Sequence, residues 1–398
     1  MNQILSKSFV AVLLLIFFIS TGVSFGFFRL ILKQVPSELA SPIAPEEEQK
    51  EAGIDFGDLL VDIAPDAVRN SPCPLNGEYY TSAEKDVWSK RRPMAIMIEN
   101  HLEARPQSGL STADIVYEAV AEGAITRFMG VFYCDSISHD NIIGPVRSAR
   151  TYFLDWASEY SKNPIYVHVG GANTPNKADA LGQIEDYGWG GENDLNQFGL
   201  SVKECWRDYN RLNRLVATEH TMYCSNEALW KVADGRGWAA VGQDKKPWEA
   251  TFTPWKFADP KPVSPPQVTK IEFDFWAEYK DYTVRWDYDS AANLYKRTNG
   301  NQTHVDRNIN QQLAVRTVII QFEKETGPID DHMHLLYGTT GSGKAMVFQN
   351  GAKIEGTWTK KDRLSRTIYK DSSGKEITFA RGKMWIETLP IGDPVSTQ

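Results

Sequence analysis

Apolar and polar positions fall into three regimes along the chain. Ser8 to Phe28 is an uncharged, mostly apolar run of 21 residues. As a helix it is long enough to cross the ~30 Å hydrocarbon core of a bilayer. From Met94 onward, short apolar runs alternate with helical spacing. Met94–Glu99, Asp114–Val120, Arg127–Tyr133 and Pro164–Val169 read as strands. Gly144-Pro145 reads as a helix start, followed by an apolar stripe at Phe153, Leu154 and Ala157. Asn176–Leu181 reads as a short helix, and Ser225 or Asn226 caps another through Leu229, Trp230 and Val232. After Val268 the pattern turns to strands at 268–275, 282–288, 293–297, 314–322, 332–337, 345–349 and 368–370. Asn299-Gly300, Asn350-Gly351 and Ser373-Gly374 supply the turns between them. The expected fold class is α+β: an N-terminal α/β-type domain followed by a β-rich C-terminal domain.

Proline and charge mark the boundaries. Residues 1–34 form an expected transmembrane signal anchor, and 35–78 a linker broken by Pro36, Pro42, Pro45 and Pro65 and solvated by Glu46, Glu47 and Glu48. Pro254 to Pro266 is a second break, separating domains at 79–253 and 266–398. Lys7 and the α-amino group balance Arg29 and Lys33, so charge barely orients the span; the short N-tail before a long polar body puts the body outside. Gly22 and Ser24 offer a rival signal-peptide cleavage site, but the apolar run is long for one. The expected location is the cell membrane, single-pass, with an extracytoplasmic body.

Composition narrows the function classes. With 42% hydrophobic and 24% charged residues the chain builds a core. Its net charge of -8 argues against nucleic acid as a partner. Twelve tryptophans indicate dense β-structure or stacking surfaces. The four cysteines, Cys73, Cys134, Cys205 and Cys224, allow three pairings; Cys205 and Cys224 are nearest, and four free, partly buried thiols are the alternative.

The densest chemistry lies between Glu99 and Arg150. Glu118 and Glu122 are four apart and share a face in a strand or a helix. Arg147 and Arg150 are three apart at the expected helix start, where a bound anion would relieve the repulsion of the helix field. With Arg105 and Arg127 they are the candidate ligand-binding residues. Glu118, Glu122, His168 and His220 are the candidates for acid–base chemistry. The competing reading is an internal network in which Arg147 and Arg150 pair with Glu118 and Glu122. Gly338-Thr-Thr-Gly-Ser-Gly-Lys344-Ala345 nearly spells a phosphate-binding loop, but Ala345 replaces the magnesium-binding hydroxyl and a strand follows, so no nucleotide is expected. His332 and His334 beside Asp330 and Asp331 fall short of a coordination shell; no metal and no cofactor are expected.

The runs Arg92-Pro-Met-Ala-Ile-Met-Ile-Glu-Asn100, Ala104-Arg-Pro-Gln-Ser-Gly-Leu110, Ala113-Asp-Ile-Val-Tyr-Glu118, Ile125-Thr-Arg-Phe128 and Gly144-Pro-Val-Arg-Ser-Ala-Arg150 resemble the YerB-like family of bacterial envelope lipoproteins. So do Tyr295-Lys-Arg297, Asn299-Gly300, His304-Val-Asp306, Asn350-Gly351, Gly356-Thr-Trp358 and Lys360. The resemblance implies two domains and an envelope location, not a reaction. The family's tether is a lipidated cysteine, where this chain offers an apolar anchor. Glu219-His220-Thr221 stands where the family often has Pro-His-Asn. The expected function is an envelope protein that binds, or processes, an anionic cell-wall polymer such as peptidoglycan. The alternative is a membrane-tethered scaffold that binds an envelope protein. Whether the chain is an enzyme is left open.

Overall fold

The computed structural model describes residues 63–398 apart from 65, 138–139, 162 and 242–245. The anchor expected at Ser8–Phe28 and most of the linker lie outside the described residues. Among the described residues no helix is long and apolar enough to cross a membrane.

The N-terminal half contributes α1 (Ser82–Trp88), β1 (Met94–Glu99), β2 (Ile115–Glu122), β3 (Ile125–Phe132), α2 (Thr151–Ala157), β4 (Ile165–His168), α3 (Ala180–Asp186), β5 (Asp194–Asn196) and α4 (Asn226–Gly235). The C-terminal half contributes β6 (Lys270–Phe273), β7 (Val284–Asp289), β8 (Leu294–Asn299), β9 (Thr317–Glu323), β10 (Gly341–Gln349), β11 (Ala352–Lys360), β12 (Ile368–Asp371) and β13 (Met384–Pro390). Among the described residues, one ten-stranded sheet runs in the order β12-β11-β10-β9-β13-β2-β3-β1-β4-β5, and β6, β7 and β8 form the middle of a second, six-stranded sheet. The fold is therefore α+β and rich in strands.

The large sheet is shared by both halves of the chain. β13 pairs in parallel with β2, from Met384↔Ile115 to Glu387↔Glu118, and on its other side with β9. The Pro-rich connection also lies against the C-terminal half, Lys256–Ala258 pairing with Thr378–Ala380. One contiguous apolar cluster draws residues from both halves.

Alternation along β2 assigns the two faces of this sheet. Tyr117 stacks on Trp156 of α2, with ring centroids 5.7 Å apart. Its neighbour Glu118 points the other way, to Arg297 of β8. Helices thus cover one face and the smaller sheet covers the other. The β10–β11 hairpin turns at Asn350-Gly351, both with positive φ (58° and 73°), which this pair adopts at low cost.

Four local expectations change. The helix begins at Thr151, not at Gly144-Pro145, and Arg150 is its N-cap residue. Residues 145–149 are extended because neighbours on both sides use their backbone: Glu99 N–H donates to the Pro145 carbonyl, Arg147 N–H to Met97, and Val169 N–H to the Arg147 carbonyl. The short helix expected at Asn176–Leu181 forms at Ala180–Asp186, where the Asp179 side chain accepts from Gly182 N–H. Of 332–337 only Leu336–Tyr337 is strand. Finally, a bulge between Val120 and Glu122 shifts the register. It breaks the alternation that would have kept Glu122 on the face of Glu118.

Cys73 pairs with Cys134 and Cys205 with Cys224. Among the described residues no cysteine is free. Both bridges suit a body that folds outside the reducing cytoplasm.

Candidate functional site

The parallel strands β1, β2 and β4 end at one edge of the large sheet, where the antiparallel β3 begins. Most of the residues expected to carry chemistry gather at this edge, in two separate networks.

The first lies between the two sheets. Glu118 is fully buried. Its Oε1 accepts from the Thr126 hydroxyl at 2.7 Å and the Asn100 amide at 3.3 Å, and its Oε2 from Arg297 at 2.5 Å. The Arg297 guanidinium lies over the rings of Trp385 (4.7 Å), Phe128 (5.5 Å) and Trp286 (5.6 Å). It meets His304 Nδ1 at 2.7 Å, and its Nε is 3.7 Å from Glu387 Oε1. Burial, then the charge of Glu118, push the Glu387 carboxyl well above the usual carboxylate range, and its Oε1 accepts from Trp286 Nε1 at 3.0 Å. Burial, then Arg297, hold His304 well below the usual imidazole range. Arg105 borders this network, stacking over Tyr282 at 5.0 Å and donating to the Asn100 and Asp281 carbonyls.

The second network is a band on the helix-covered face. Burial alone would raise the Glu122 carboxyl, but Arg127 and Arg150 outweigh it and hold it down to about 2. Arg150 binds Glu122 Oε2 through Nε and Nη2 at 3.0 and 2.6 Å, and Arg127 binds Oε1 at 2.7 Å. Across the β1–β3 pairing Arg127 stands opposite Glu99. Glu99 in turn pairs with Arg147 at 3.3 Å and with His220 Nδ1 at 2.9 Å. His101 stacks on His220 with centroids 4.6 Å apart, and Glu103 lies 3.8 Å from His220 Nε2. Burial, then His220, lower the His101 imidazole.

His168 stands apart from both. It is fully buried, with Nε2 2.7 Å from Asp194 and Nδ1 2.5 Å from the Gly170 carbonyl.

The structure therefore separates Glu118 from Glu122, and joins Arg127, Arg147, Arg150, Glu122 and His220 in one band. Arg147 and Arg150 are not neighbours on a helix. Arg150 and Arg127 are buried ion-pair partners, while Arg147 is the member whose side chain keeps 26% of its exposure. Around it stand Glu99, Glu103 and Glu219, with Arg214 bonded to the Glu103 and Arg105 carbonyls. Spacing gave no hint of Arg297, His304 and Glu387. The usable signal was a charge set inside an apolar strand, as in Met384-Trp-Ile-Glu-Thr-Leu389 and Ile115-Val-Tyr-Glu-Ala-Val120, which calls for a buried partner.

Among His, Cys, Asp and Glu of the described residues, Cys73, Asp114 and Cys134 bring ligand atoms close together. Because the two sulfurs are joined to each other, this group holds no open ligand set.

Comparison with known proteins agrees with this architecture. Residues 80–239 match the N-terminal domain, and 271–386 the C-terminal domain, of a family described as protein of unknown function (DUF3048). YerB of Bacillus subtilis (strain 168), which is named as a lipoprotein, is 30% identical over 336 residues, covering 84% of this chain and 91% of its own. The crystal structure of Bacillus subtilis YerB superposes with a TM-score of 0.66 at 29% identity, covering 82% of this chain and 99% of that one. The chain belongs to the YerB-like family of two-domain proteins of unknown function.

Proposed function

We propose that this chain is a membrane-anchored protein of the bacterial envelope that binds a cell-wall polymer outside the membrane and does not cleave it. Kinship with a protein named as a lipoprotein supports the membrane anchorage, and the two disulfides support an extracytoplasmic body. The observation that carries the second half is the state of the two carboxylates. Glycan cleavage needs a carboxylic acid that keeps its proton at working pH and faces the scissile bond. Glu118 is sealed between two sheets against Arg297, and two arginines hold Glu122 ionised down to about 2. Neither fills that role.

The test is co-sedimentation of the full-length protein, in neutral detergent, with purified wall sacculi, followed by analysis of the supernatant. Sedimentation without released sugar or peptide is expected. Released fragments would make the protein an enzyme, and absence of sedimentation would remove the wall as partner. A protein partner is the second reading, favoured by Phe198 and Val202, both more than three-quarters exposed on the loop after β5. Under that reading Phe198→Ser with Val202→Ser abolishes cross-linking to an envelope protein.

A further inference from the structure

A cavity of about 930 Å³ opens where the end of β11 and the turn after it face the end of α2. Its lining includes Lys360, Lys361, Arg363 and Arg366, against two carboxylates, Glu159 and Asp362. The lining thus carries a net charge of two positive, on a chain whose net charge is -8.

The six charges divide into a foundation and a free set. Glu159 is fully used: it pairs with Lys360 at 3.1 Å and Arg366 at 3.0 Å, and accepts from the Thr367 hydroxyl and N–H. Lys360 completes its shell with the Arg363 and Ser365 carbonyls at 2.9 and 2.7 Å, which ties down the turn. Asp362 is occupied within that turn, accepting from Ser365 N–H and Oγ. Lys361 and Arg363 remain. The Lys361 ammonium makes no ion pair among the described residues. Arg363 stacks 3.7 Å over Tyr187 and donates Nη1 to Ser158 Oγ at 2.9 Å, and its Nε and Nη2 have no acceptor among the described residues. Stacking fixes the guanidinium plane, so its free edge is presented without further loss of side-chain entropy. Thr251, Thr253 and Thr359 add hydroxyls to the wall.

We propose that this cavity is the binding site for the anionic groups of the wall polymer, with Lys361 and Arg363 contacting phosphate or carboxylate and the threonines contacting hydroxyls between them. The inference rests on the polymer-binding reading above and gives it a location. Its volume is within the range of small-molecule pockets, enough for a few repeating units of a polyol or glycan chain.

The experiment compares full-length wild type, Lys361→Ala/Arg363→Ala and the single variant Lys361→Gln, all in neutral detergent, on two wall preparations. One retains its phosphodiester-linked polymers; the other has been stripped of them by acid and keeps only carboxylates. The double variant is expected to bind at least tenfold more weakly, with melting lowered by the lost Arg363–Tyr187 and Arg363–Ser158 contacts; the single variant is expected to lie between in binding with unchanged melting, and added salt to weaken wild type. Loss of wild-type binding on stripping identifies phosphate as the anion; retention identifies carboxylate. Wild-type binding that both variants match would overturn the cavity and leave polymer binding standing. A wild type that binds neither preparation would overturn both. Lys361→Gln removes one exposed charge and no packing, so a misfolded double variant does not block the test.

Discussion

Arg297→Met tests whether the Glu118–Arg297–Glu387 network holds the two halves of the body together. Methionine fills most of the volume between Trp286, Trp385 and Phe128, so the change is mainly one of charge. It leaves Glu118 with Asn100 and Thr126 as its remaining partners, buried beside Glu387. Removing one partner of a buried ion pair costs about 3–5 kcal/mol. At roughly 2–3 °C per kcal/mol for a body of this size, melting should fall on the order of 6–15 °C. The pH dependence gives a second reading. Protonation relieves an unpaired buried carboxylate, and the folded state then holds that proton to a higher pH than the unfolded chain. The deficit therefore shrinks at acid pH and grows as pH rises past the ordinary carboxylate range. Adding Glu118→Gln to Arg297→Met should recover much of the loss, and the double-mutant cycle measures the coupling. Calorimetric or circular-dichroism melts at acid and at slightly alkaline pH are sufficient. A variant within about 1 °C of wild type at neutral pH, against the cost expected for a broken buried pair, refutes the reasoning.

Glu122, depressed to about 2, contributes stability that is present above its unfolded value and lost as pH falls toward 2. Glu122→Gln should lower stability at neutral pH by on the order of 2–3 kcal/mol and flatten the acid limb of the stability–pH curve; an unchanged acid limb contradicts this. The disulfides close loops of unequal length, with separations of 61 and 19 residues. Loop-closure entropy then gives about 4 kcal/mol for Cys73–Cys134 and about 3 for Cys205–Cys224. Paired Cys→Ala variants should melt in that order, and the reverse order refutes a loop-entropy account. Fragments 79–253 and 266–398 expressed separately should each melt without cooperativity, because each bares a strand of the β2–β13 seam. Mixing them should restore a cooperative transition, whereas sharp melting of each alone would show two self-sufficient domains.

What the chain revealed on reading followed from local rules. Apolar runs of strand length located β1, β2 and β3 to within a few residues, because fully buried strands need continuous apolar sequence. Asn350-Gly351 gave the β10–β11 turn through its positive φ values. The phosphate-loop spelling at 338–345 resolved into the strand β10, as the following apolar residues indicated. The misses have non-local causes. Pro145 suits a helix start, yet backbone demand from β1 and β4 holds its neighbourhood extended. The bulge that parts Glu118 from Glu122 arises from the β2–β3 register. Arg297 lies 179 residues from Glu118, beyond the reach of any spacing argument. Nothing in the spacing of Lys360-Lys-Asp-Arg-Leu-Ser-Arg366 marked it out, because the partners that order it, Glu159, Tyr187 and Trp255, are distant in sequence.

The most direct measurement is a binding isotherm of the full-length protein on purified sacculi at low and at high salt, with the supernatant analysed for wall fragments at every point. A binding protein that works through the Lys361–Arg363 cavity gives a saturable isotherm that weakens as salt rises, over a supernatant free of sugar and peptide. A flat isotherm, binding indifferent to salt, or fragments accumulating with time would contradict it.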